Sequence, residues 1–323
     1  MSGLIPAFDL SRVVLDPWME TPVAAAWVVL MGALVGTSCG MVGNFLLLRR
    51  MALVGDAISH SVLLGLVGAF LIFRHISTPL MFLGAMAAGL LTVAIIELIH
   101  RQTRVKADAA ICISFTTLFA LGVTLLSLAE VGGPVHIDAE CVLYGEIAFV
   151  ALEPPVVWDG IALGPPSVLR MAGVTMVLIV LLVIFYKEML ITSFDGALAV
   201  SMGMRAGVWH YALMVALSLV IVSAFEAVGA ILAVAMLVVP AMFAAQLSSS
   251  LPTRLWLTAA HACVSALAGY HLSIWLNCST AAAMVVCGAV FFLVAWAATS
   301  VRPRVMAPDP PDDPRLISPH SHG

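Results

Sequence analysis

The stretch VWHYALMVALSLVIVSAFEAVGAILAVAMLVVPAMFAAQL, residues 208–247, contains a single Asp, Glu, Lys or Arg, Glu226. That residue divides two apolar runs, 208–225 and 227–247. A membrane-crossing helix needs about 20 predominantly apolar residues, so each run has the length of one crossing. The apolar residues are continuous and do not alternate, which selects helices over the strands of a membrane barrel. Further runs of the same kind occupy 24–48, 53–73, 79–99, 109–129, 170–186, 255–275 and 280–300. The composition agrees. Hydrophobic residues make up 62% of the 323 and charged residues 10%, against about 25% charged in soluble domains. The expected fold is an all-α, polytopic integral membrane bundle of about nine transmembrane helices. Residues 130–169, rich in Gly and Pro, widen that to eight to ten and leave room for a short re-entrant helix around 141–152.

Basic residues orient such a chain, because they concentrate on the cytoplasmic side. With the N-terminus outside, Arg49, Arg50, Arg101, Arg104, Lys106, Lys187, Arg205, Arg254, Arg302, Arg304 and Arg315 fall inside. Only Arg12, Arg74 and Arg170 fall outside. The expectation is therefore N-out and C-in. An external segment would cover 1–22, a transmembrane domain 23–300, and a disordered cytosolic tail 301–323. The net charge of −4 implies no nucleic-acid partner. The six cysteines are scattered without a CxxC pair and read as small packing residues.

Polar groups inside a membrane span are costly and need a reason. Asp56 and His60 open the second run in Arg49-Arg50-Met51-Ala52-Leu53-Val54-Gly55-Asp56-Ala57-Ile58-Ser59-His60. Four residues apart, they share one helix face. A carboxylate oxygen and an imidazole nitrogen there can bind one divalent cation, with manganese, zinc and iron(II) all suited to the pair. The spacing equally allows a helix-start Asp beside a His bonded to a backbone carbonyl. Two donors do not close a site. A second subunit across a two-fold axis would bring the set to four, and Glu226 is another candidate donor or else a turn residue.

Gly32, Gly36 and Gly40 place small residues four apart, a face that lets another helix approach closely. Gly36-Thr37-Ser38-Cys39-Gly40 also has the form GxSxG. As a hydrolase motif it needs a strand–turn–helix elbow and a His near Ser38, whereas here it lies in an apolar helix. Lys106 and Lys187 follow Val105 and Tyr186, so neither belongs to a phosphate-binding Gly-Lys-Ser/Thr loop. Any ATP hydrolysis falls to another subunit, and the chain itself reads as a non-enzyme without a permanent cofactor. Between two spans, 188–206 carries a short helical pattern with Asp195 near its start and Gly203 at its stop. Leu198 and Met202 share a face there, suited to a soluble partner or to the lipid surface.

Four stretches together resemble the metal-type permeases of ABC importers: RRMALVGDAISHSVLLG at 49–65, VLYGEIAF at 142–149, TSFDGALAVSMGM at 192–204 and AVGAILAVAMLVVPAMFAAQL at 227–247. The resemblance covers about 20–300. It implies that Asp56 and His60 are the metal pair and that 192–204, with Phe194, Asp195, Ala199 and Gly203, couples to the ATPase. It further implies a bacterial inner-membrane system with a second permease subunit, cytosolic ABC ATPases and an extracytoplasmic metal-binding protein. The cargo would be manganese, zinc or iron(II), and VLYGEI looks most like the manganese/iron branch. The competing reading is a secondary metal carrier driven by an ion gradient, in which 192–204 would bind no ATPase.

Overall fold

A computed structural model describes residues 6, 8–73, 77–131 and 145–300. Arg74, the segment with His136, Asp138, Glu140 and Cys141, and the 301–323 tail lie outside the described residues. A π-helical turn (Ser11–Leu15) and α1 (Asp16–Glu20) lead into four long helices: α2 (Pro22–Leu48), α3 (Leu53–Phe73), α4 (Thr78–Gln102) and α5 (Ala107–Val131). A 3-10 helix (Ile147–Leu152) and an antiparallel pair, β1 (Val156–Trp158) with β2 (Ile161–Gly164), come next. The chain ends in α6 (Pro166–Ile184), α7 (Tyr186–Phe194), α8 (Gly196–Ser201), α9 (Ala206–Leu247), α10 (Leu251–Leu276) and α11 (Thr280–Ser300).

Eight of the nine expected apolar runs each fall within one of these helices, and 170–186 runs past the end of α6 at Ile184 into α7. Among the described residues, seven are long and apolar enough to cross a membrane, with α9 counted once. That helix is two arms joined at Gly229, whose φ of 76° and ψ of 173° are non-helical. Ile221 and Leu237, eight residues to either side, both lie against Gly55 of α3, so the arms fold back side by side. The reversal falls three residues after the charge that divides the sequence. Only glycine populates that backbone region readily, whereas a carboxylate marks polarity and not chain direction.

Helix α2 sits at the centre. Val35, Cys39, Val42, Phe45 and Leu46 are fully buried in it. Its glycine face receives α10: a Cβ at Gly32 would crowd Ala266 (and Met284 of α11), at Gly36 it would lie 2.9 Å from the Ala262 Cβ, and at Gly40 2.5 Å from the Thr258 Cγ2. The falling numbers of the α10 partners show that the two helices run antiparallel. The small-residue stripe therefore packs two helices of one subunit together. Peripheral α6 shows the opposite pattern, with Met176, Val183 and Ile184 exposed, as expected of a helix facing lipid.

The short re-entrant helix expected around 141–152 lies partly outside the described residues; its described part is a 3-10 helix at Ile147–Leu152, and a hairpin that the sequence reading did not anticipate follows. Asp159 and Gly160 take φ of 53° and 80° at the hairpin tip, the two-residue turn for which Asp-Gly is favoured. Glu146 then fastens this region to the bundle, accepting from Ala148 N at 3.3 Å and from Thr280 N at 3.1 Å.

Candidate functional site

Helix α3 begins after a tight turn. Arg50 N donates to Leu47 O and Met51 N to Leu46 O, with Arg50 at φ 57°. This is the paired closure that ends helices with a left-handed residue, here with arginine where glycine is usual. The turn fixes the start of α3 and brings Asp56 and His60 onto one face. Asp56 Oδ1 lies 3.4 Å from His60 Nε2. The side chains are 35% and 26% exposed, so both remain reachable at the subunit surface. His60 is flanked from α5 by Phe115, stacked at 5.7 Å, and by Phe119, edge-on at 5.7 Å. These two rings limit the imidazole's freedom and are absent from the sequence reading. A pattern on one helix does not reveal which residues a distant helix turns toward it.

The other candidates fall elsewhere. Glu226 forms an ion pair with Arg170 at 2.6 Å, at the end of the bundle where α6 begins and α9 reverses. No group of three His, Cys, Asp or Glu able to hold a metal occurs among the described residues, so the structure does not bring Glu226 to the Asp56–His60 pair. The Ser38 hydroxyl is buried and donates to Leu34 O at 2.8 Å. GxSxG is thus ordinary helix here, without the elbow a nucleophile needs.

At the opposite end from Glu226, α8 projects from the bundle. Asp195 caps it, accepting from Ala197 N at 2.9 Å and Leu198 N at 3.0 Å. Gly203, at φ 79°, ends it: Gly203 N donates to Val200 O and Met204 N to Ala199 O. Phe194, Leu198, Val200 and Met202 are exposed, whereas Ala199 is fully buried. An outward apolar surface and an inward anchor thus share one short helix. Arg49 lies directly behind it. Its Nε donates to Ser193 Oγ at 3.0 Å and its Nη2 to Thr192 Oγ1 at 3.2 Å, and its Nη1 lies 3.4 Å from His210 Nδ1. Burial draws this guanidinium below the usual arginine pKa, though arginine keeps its charge in proteins. His210 Nε2 in turn lies 3.5 Å from Glu97 Oε2, and Glu97 pairs with Arg101.

Comparison with known proteins finds a family model, the ABC 3 transport family, matching residues 23–299. The manganese transport system membrane protein MntD of Bacillus subtilis is 46% identical over 272 residues, 83% of this chain and 91% of that protein. The zinc transport system membrane protein TroD of Treponema pallidum is 38% identical over 269 residues, 83% of this chain and 72% of that protein. Among solved structures, PsaBC from Streptococcus pneumoniae in complex with Fab superposes with a TM-score of 0.72 at 33% identity, covering 89% of this chain and 95% of that one.

Proposed function

The chain belongs to the ABC 3 transport family, and we propose from that premise that it is the permease through which an ATP-driven importer passes manganese or zinc, the metals named for its relatives. The donor set admits iron(II) as well. Membership in an ABC family displaces the alternative of a carrier driven by an ion gradient. The protein is a multi-pass membrane subunit without enzymatic activity of its own.

The observation that carries the metal path is the Asp56–His60 pair, 3.4 Å apart and accessible on one face of α3. One subunit offers one oxygen and one nitrogen donor, half of a four-ligand shell. Two permeases meeting with their α3 faces across a two-fold axis would complete it. Cation and carboxylate then satisfy each other in a setting where either alone is expensive.

The driving force enters at the other feature. The exposed Leu198 of the capped α8, with Phe194 and Met202 flanking it, forms a small apolar knob, and its occupant in this reading is a cytosolic ATPase subunit. That places the α8 end in the cytosol, as the distribution of basic residues favours, and the Arg170–Glu226 end toward an extracytoplasmic metal-binding protein. Closure of two ATPases on ATP would shift the equilibrium between inward- and outward-open arrangements.

Metal uptake into proteoliposomes containing the assembled permease and ATPase tests this. Asp56→Ala and His60→Ala should each abolish ATP-dependent manganese or zinc uptake while leaving the complex folded and assembled. Normal transport by both variants would make the pair structural and remove the mechanism.

A further inference from the structure

We propose that Arg49 is a positioning residue for transport, a strut that makes the start of the metal-bearing helix α3 move with the ATPase-facing segment α7–α8. This rests on the reading of α8 as the ATPase dock.

Three observations carry it. First, the guanidinium uses all three of its nitrogens on three sites: Ser193 Oγ, Thr192 Oγ1 and His210 Nδ1. Thr192 and Ser193 close α7, immediately before the Asp195 cap of α8. Second, these partners are neutral hydroxyls and an imidazole, and the ion pairs among the described residues do not include Arg49. A half-buried arginine without a carboxylate is an expensive way to fasten two helices, so its use for one particular segment calls for a reason beyond stability. Third, Arg49 is the C-cap of α2, and the turn that follows is closed by Arg50 N to Leu47 O, Met51 N to Leu46 O and Val54 N to Met51 O. That hydrogen-bonded turn runs without slack into α3 and Asp56.

The resulting chain is short: apolar knob, Thr192–Ser193, guanidinium, closed turn, α3. A branch through His210 to Glu97 ties the same guanidinium to α9 and α4. Displacement of α8 by a closing ATPase pair therefore reaches the metal pair through one side chain with rigid fork geometry. Lysine could supply the charge, but from a single nitrogen and without the planar fork that spreads the donors over three separate acceptors.

The test uses the full permease–ATPase complex in proteoliposomes, with metal uptake and ATP hydrolysis measured on the same preparation. Arg49→Gln and Arg49→Lys should keep ATP hydrolysis near wild type while metal taken up per ATP falls roughly tenfold. The acceptor variant Thr192→Ala/Ser193→Ala should show the same split. Combining it with Arg49→Gln should add little, because both remove one interaction. A merely structural role would lower hydrolysis and uptake together. Unchanged uptake per ATP in the acceptor variant, or losses that multiply in the combination, would overturn the proposal; should Arg49→Gln not assemble, the acceptor variant decides alone. Leu198→Glu/Met202→Glu separates the underlying reading: if the ATPase still binds that variant at full affinity, α8 is not the dock, whatever Arg49 does.

Discussion

Asp195→Ala removes the one side chain that holds the N-terminus of α8. Its carboxylate accepts from both Ala197 N and Leu198 N, two of the amides that a helix start leaves without partners. Loss of such a cap costs about 1 kcal/mol. In a helix of six residues that figure is decisive, since forming a single turn is intrinsically unfavourable. The Gly203 closure at the far end survives, so α8 should fray and not vanish. If only the formed helix presents Leu198 and Met202 to the ATPase, about 1 kcal/mol lowers the ATPase affinity roughly fivefold. Asp195→Asn keeps the acceptor and caps nearly as well, so it should lie close to wild type. The assay is titration of purified ATPase against permease in proteoliposomes, with amide exchange followed at Ala197 and Leu198. Unaltered protection at those amides in Asp195→Ala would refute the capping argument. Equal damage from Asn and Ala would show that the carboxylate's charge, and not its cap, is what the ATPase needs.

Three further outcomes follow from the same geometry. Gly229→Ala puts a Cβ on a backbone at φ 76° and ψ 173° and should destabilise the permease by about 1–3 kcal/mol, read as earlier thermal unfolding in detergent. Arg50→Gly relieves a left-handed arginine at φ 57° and should stabilise by about 1 kcal/mol in the same measurement; an earlier transition would mean that the Arg50 side chain holds the turn. Metal uptake at fixed ATPase activity should fall as pH is lowered, because a ligating imidazole must be neutral and protons compete with the cation. The same pH profile in His60→Ala as in the wild type would take His60 out of the shell.

What the sequence discloses follows a physical divide. Apolar runs are visible because the bilayer demands length and continuity of each span separately. The ends of α8 are visible because capping by Asp195 and left-handed closure at Gly203 are local backbone chemistry. Asp159-Gly160 was equally local, and it marks a hairpin that a search for helices passes over. Most of the hidden features depend on partners far along the chain. Glu226 meets Arg170, His60 meets Phe115 and Phe119, and Arg49 meets Ser193 and His210. Read alone, Arg49 is one more basic residue at a membrane boundary, and nothing in its neighbours announces the strut. Gly229 is hidden for another reason. The charge at Glu226 announces a reversal, but Gly229 lies within the second apolar run, where hydropathy gives no sign of the break and only the backbone angle fixes its position.

The central claim is that one metal ion sits between two Asp56–His60 pairs. Pulsed electron paramagnetic resonance of manganese(II) bound to the permease dimer tests it directly, since the spectrum reports ligating imidazole nitrogens. The account predicts one manganese per dimer with two equivalent imidazole couplings, both lost in His60→Ala. One manganese per subunit, or nitrogen couplings that persist in His60→Ala, would contradict it.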